Sequence, residues 1–124
     1  MNRIFITKAF YRWMSKNRIN NDSIIAAVKE MESGLIDADL GGYICKKRIP
    51  LPGQGKRGSA RTIVATKQEN SWFFIYGFNK NERSNISSKE LESFQEMAKG
   101  LLSLTNQKLS LATRNGALKE VSSK

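Results

Sequence analysis

Apolar and polar positions along this chain change period several times, and each change marks a new element. Residues 3–7 read as a short strand. Phe10, Trp13 and Met14 then recur at i, i+3 and i+4, predicting a helix with one apolar stripe and with Arg12 and Lys16 off it. Ile24, Ile25, Val28 and Met31 share one face of a second helix, which starts near Asn21 or Asp22, both good N-caps, and stops at Gly34. The two helices form an αα-hairpin. After a turn-rich stretch at 35–42, three β-type runs follow at 43–51, 60–67 and 71–78, the last two joined by Gln68-Glu69-Asn70. Links this short predict antiparallel pairing.

A third helix has a well-marked start. Ser87 and Glu90 form a capping box, and Ile86 and Leu91 a hydrophobic staple. Leu91, Phe94, Met97, Ala98, Leu101 and Leu102 continue at helical spacing. Thr105 caps a last short helix to about Arg114, Asn115-Gly116 is a turn, and Leu118 to Val121 read as a fraying strand or tail. The expectation is an α+β fold: an N-terminal strand and αα-hairpin, an antiparallel sheet of about four strands with helices segregated onto one face, and C-terminal helices. Residues 1–104 would form the main domain, with 105–124 a short helix and tail packed on it or extending it. Trp13, Trp72, Met31 and Met97 sit in apolar periodic runs and are expected in the core.

At 124 residues the chain has room for one domain and one core. Charge changes the picture more than size does. The net charge is +10, which calls for a polyanionic partner, and residues 43–83 carry nine Lys or Arg against two Glu. There is no His, which removes the usual neutral-pH base, the Ser-His and Cys-His pairs and most zinc sites. The lone Cys45 reads as a small buried hydrophobe in a reducing compartment. No apolar run is long enough to span a bilayer, so a cytoplasmic protein without membrane contact is expected, and no cofactor or metal is implied.

Gly53-Gln54-Gly55-Lys56-Arg57-Gly58 matches G-x-G-x-x-G, but a strand rather than a helix follows it, and a phosphate-binding P-loop fails because Pro50 and Arg57 stand where Gly and Ser or Thr are needed. The loop is either a plain hairpin connection or a nest whose small residues let Lys56, Arg57 and backbone N–H groups approach a phosphate. Strand alternation puts Lys46 and Arg48 on one face of the first run, and leaves Lys47 among Cys45, Ile49 and Leu51 on the other. In an antiparallel meander the start of the second run meets the end of the third, so Lys56, Arg61, Lys80 and Arg83 can converge. A solvated charged face remains the alternative.

Four segments in this order, Asp39-Leu40-Gly41-Gly42, Lys46-Lys47-Arg48-Ile49, Pro52 through Arg61 and Tyr76 through Ile86, resemble the RelE/ParE superfamily of type II toxin–antitoxin toxins, in its HigB-like branch. The resemblance covers about residues 3–104. It implies the RelE-like fold, ribosome-dependent cleavage of mRNA in the A site, and neutralisation by a small antitoxin, often a helix-turn-helix protein through which any DNA contact would run. Arg61 falls at the family's phosphate-stabilising arginine, and Arg48 with Lys46 near the basic pair on the preceding strand. Asn81 and Ser87 stand where RelE has an arginine and a tyrosine; Lys80 or Arg83 can replace the first, and no aromatic obviously replaces the second.

The resulting assignment gives Arg61 and Lys56 the phosphate, Arg48 or Lys46 the 2′-hydroxyl side, and Arg83 or Lys80 the leaving group. Lys47, Arg57 and Asn81 join Lys46 and Lys80 as RNA contacts. Glu82 is expected to ion-pair with Arg83 or Arg61. Clustered cations can stabilise a pentavalent phosphorane without His. The competing functions are a ParE-like gyrase inhibitor and a non-enzymatic RNA-binding protein.

Overall fold

A computed structural model describes residues 2–53 and 58–122. Its elements in chain order are β1 (Arg3–Thr7), α1 (Lys8–Lys16), α2 (Asn21–Glu32), β2 (Ala38–Gly41), β3 (Ile44–Pro50), β4 (Ser59–Thr66), β5 (Ser71–Asn79), α3 (Ser88–Leu102), α4 (Asn106–Arg114) and β6 (Leu118–Val121). The α+β class and the αα-hairpin are as the pattern predicts. The sheet is larger than expected, with six strands in the order β2-β3-β4-β5-β1-β6. The two additions come from segments read as a turn-rich connection and as a fraying strand or tail: β2 pairs with β3, and β6 pairs antiparallel with β1. The sheet is also mixed, because β1 runs parallel to β5. The β3-β4-β5 meander obeys the short-link rule, as does the β2-β3 hairpin.

Helices cover both faces, not one. On the first face Phe10 and Met14 of α1 and Ile24, Val28 and Met31 of α2 pack against alternate strand residues that include Trp72 and Phe74. On the second, Ala98 of α3 and Leu109 of α4 close over Phe5, Ile63, Phe73 and Ile75. With apolar cover on both sides, the central strand β5 is apolar throughout, which is why its alternation is invisible in the sequence. Trp72 is fully buried as expected, but Met97 is exposed on the outer side of α3.

Helix ends follow local chemistry. The Ser87 hydroxyl accepts from the Glu90 amide at 3.1 Å, and the Glu90 carboxylate accepts from the Ser87 amide at 2.7 Å, completing the capping box. Thr105 caps α4 with its hydroxyl alone, accepting from the Lys108 amide at 3.2 Å. The cap of α2 is Asn20, one residue before the expected start, and Gly34 follows its end at φ +93°. Gly77 has a tertiary role: a Cβ there would lie 2.4 Å from the Trp13 ring, so only glycine lets α1 seat against β5. The indole N–H of Trp13 donates to Asn79 at 3.0 Å, and Asn79 donates in turn to Asn17, tying α1 to the end of β5.

Candidate active site

Three cations share the α3/α4 side of the sheet at one end. Lys46 and Arg48 occupy alternate positions of β3, and Arg61 lies on β4 directly across from Arg48. Opposed like charges on neighbouring strands destabilise a sheet. Among the described residues no carboxylate lies within salt-bridge distance of Lys46, Arg48 or Arg61, so nothing inside this part of the protein offsets the repulsion. Arg61 is half-buried and its Nη1 donates to the Ser59 hydroxyl at 3.1 Å, which holds the guanidinium along the strand; Arg48 is exposed. Such a pair is favourable when an anion sits between its members.

The row continues onto β5 because of an irregularity the sequence does not announce. Ile63 pairs with Tyr76 but Val64 pairs with Phe74, so Ile75 is an extra residue in β5. A bulge of one residue reverses side-chain parity beyond it. Phe73 and Ile75 face α3 before the bulge, and Tyr76 and Phe78 face the same side after it. Phe78 thus stands beside Arg61, with Tyr76 one pair further along. Tyr76 packs against Phe94 of α3, ring centroids 5.4 Å apart.

Arg83, in the turn segment after β5, folds back over these rings, with its guanidinium carbon 5.7 Å from the Phe78 centroid and 5.9 Å from that of Tyr76. Its Nη1 donates to the Tyr76 hydroxyl at 3.1 Å, and its fork meets the Glu90 carboxylate at 3.0 and 2.6 Å. The Arg83 guanidinium, helped by the Ser87 amide, holds the Glu90 carboxyl at about 2, and Glu90 in turn raises Arg83 above its already high value. The partner of Arg83 is therefore Glu90 and not Glu82, which is exposed and, among the described residues, in no ion pair. Two residues missed at the sequence level complete this corner. Glu90 was visible only as a cap, and Tyr76 was hidden by the bulge.

The other candidates fall in different places. Lys80 and Asn81 are exposed in the turn that leaves β5, at the same end as Arg48 and Arg61. Lys47 is on the opposite face, 5% exposed under α2, with its ammonium 2.7 Å from Glu30. The ion pair explains how a lysine sits among the apolar residues of β3, and it removes Lys47 from the charged face. Lys56 and Arg57 lie outside the described residues, as does the centre of the glycine loop. Cys45 is buried as expected, and burial pushes its thiol up to about 12, which leaves it unreactive. No group of three or more metal-ligating side chains occurs among the described residues.

The family model of the RelE toxin of the RelE / RelB toxin–antitoxin system matches residues 2–121, nearly the whole chain. The chain belongs to the RelE toxin family. A comparison with curated proteins finds no match. The match extends beyond residue 104 to include α4 and β6, in agreement with the β1–β6 pairing. What this RelE toxin offers at the end of its sheet is a row of cations, Lys46, Arg48 and Arg61, of which Arg61 is held by Ser59, beside a phenol oriented by an arginine–carboxylate pair. Donors held in place before the substrate arrives can stabilise developing negative charge without rearranging.

Proposed function

We propose that this RelE-family toxin is an endoribonuclease that cuts translated mRNA in the ribosomal A site and so arrests translation and growth. The observation that carries the reading is the unneutralised cross-strand pair Arg48 and Arg61 with Lys46 on the same face. A protein with net charge +10 that leaves two guanidinium groups opposed has a binding site for a phosphate rather than a decorative surface. Arg61, with Lys56, takes the non-bridging oxygens of the scissile phosphate, and Arg48 or Lys46 the 2′-hydroxyl side. Arg57, Lys80 and Asn81 contact the flanking RNA.

The ribosome supplies what a small array of cations lacks, an RNA chain already held in line for attack. Its rRNA also gives the surrounding cations further phosphates to grip. The work is cytoplasmic. Outside the cut, the toxin meets its cognate antitoxin, a helix-turn-helix protein that links it indirectly to DNA.

The deciding experiment is brief induction in bacteria followed by mapping of mRNA 5′ ends. New ends in register with codons inside translated regions are expected. Intact messages, with or without a DNA-damage response, would remove the nuclease reading.

A further inference from the structure

Cleavage by a 2′-hydroxyl needs a proton for the departing 5′-oxygen, and a protein without His must find it elsewhere. We propose that Tyr76 is that proton donor, held for the purpose by Arg83 and Glu90; the inference rests on the nuclease reading above and deepens it.

Arg83 is too fully engaged to serve as the donor itself. Its Nε donates to the Asn85 carbonyl at 3.0 Å, its Nη1 to Tyr76 and Glu90, and its Nη2 to Glu90, so four of its five N–H groups have partners. It works as a clamp. Because Nη1 donates to the Tyr76 hydroxyl, the phenol oxygen is the acceptor in that bond and its own hydrogen must point elsewhere. Among the described residues that hydrogen has no acceptor. The ring cannot easily swing away, since Phe94 and Phe78 flank it with centroids 5.4 and 6.1 Å distant.

Position completes the case. Arg61 pairs with Phe78 and Ile63 with Tyr76, so Arg61 and Tyr76 are diagonal neighbours on one face. Diagonal pairs are about 7–8 Å apart, a span that long side chains close and that a phosphate can bridge. A phosphate held by Arg61 thus presents its leaving oxygen toward the phenol. The 2′-oxygen bonds to phosphorus, the bond from phosphorus to the 5′-oxygen breaks, and the phenol proton passes to that oxygen. The products are a 2′,3′-cyclic phosphate and a 5′-hydroxyl. The 2′-hydroxyl proton goes to water, and the phenolate, facing the Arg83 guanidinium, is reprotonated from water after release. Glu90 and Arg83 are positioning residues in this scheme.

The test is single-turnover cleavage of synthetic mRNA on purified ribosomes with an open A-site codon. Two substrates are compared, one with the natural 5′-oxygen at the scissile position and one with sulfur there, which leaves as a thiolate and needs no proton. Tyr76→Phe keeps the packing and is expected to slow oxygen-substrate cleavage by about 10²–10⁴-fold, the usual range for a lost general acid, while cutting the sulfur substrate near the wild-type rate. Glu90→Gln should follow the same pattern with a smaller loss, and Arg61→Ala should lose both substrates equally. An unchanged Tyr76→Phe rate on the oxygen substrate, or equal losses on the two, would overturn the assignment of Tyr76. Failure of the wild-type protein to cut either substrate is a separate result, and it removes the nuclease reading itself.

Discussion

Lys46 and Lys47 are neighbours in sequence and belong to different worlds. Lys46 lies on the α3/α4 side in a row of cations with no carboxylate in salt-bridge distance among the described residues, whereas Lys47 faces α2, is almost fully buried and is paired with Glu30. The two sides of the sheet differ in the same sense. The α1/α2 side is closed by packing that tolerates no extra atom at Gly77, and Lys47, the one buried charge among the described residues, is neutralised there. The end of the α3/α4 side keeps like charges together and orients a phenol with an arginine. The first arrangement favours stability, and the second gives some of it up to like-charge repulsion across the strands.

Substitutions on the two sides should therefore separate stability from activity. Arg61→Ala should give a loss of about 10²–10³ in cleavage rate, as for removal of a single oxyanion-type donor, with an unchanged or slightly raised Tm because a repulsion is gone. Toxicity assays beside thermal melts check this; undiminished growth arrest would place the phosphate elsewhere. Gly77→Ala should do the opposite. Forcing a methyl into the Trp13 ring is expected to lower stability by about 1–3 kcal/mol, as overpacking does, without touching the charged face.

The Lys47 pair makes a finer division. Glu30→Ala strands a buried ammonium and should lower stability by about 1–2 kcal/mol, less than a fully buried pair because Glu30 is half exposed. Lys47→Met, measured by denaturant melts and growth arrest, should be close to neutral in both. A large loss of toxicity in Lys47→Met would mean that the first face also meets RNA.

The smallest expected effect is on pH. Glu90 is held at about 2 in the folded protein against 4.5 for an ordinary glutamate, so its contribution is complete above pH 4.5 and is lost as pH falls toward 2. Glu90→Gln should remove that contribution, lowering stability by a constant amount above pH 5 and flattening the acid-unfolding curve between pH 4.5 and 2.

What the sequence discloses and what it hides follow from distance along the chain. The capping box of α3 is legible because Ser87 and Glu90 are three residues apart, and the parity of β3 is legible because alternation is local. Alternation alone even sorted Lys47 with the apolar set; what it lacked was Glu30, on another element. The bulge at Ile75 leaves no local mark in a strand apolar on both faces, so the approach of Tyr76 to Arg61 could not be read. The Arg83 and Glu90 pair spans seven residues of turn whose path composition does not define. The place of β6, read as a fraying strand or tail, could not be seen because its partner β1 lies at the far end of the chain, and β2 is only four residues long in a stretch rich in turn formers.

That last feature bears on how the protein comes to be folded. Thr7 is hydrogen-bonded to Ile75, 68 residues on, and Arg3 is paired with Glu120, 117 residues on. Pairings of such long range close slowly and late, because loop entropy must be lost before they form. During synthesis β1 waits beside an unfilled position until β5 and then β6 leave the ribosome. The meander that carries Arg48, Arg61 and Tyr76 can pair earlier, but its sheet stays open along β5 in the interval. The six-stranded sheet is therefore complete only once β6 has emerged and paired with β1.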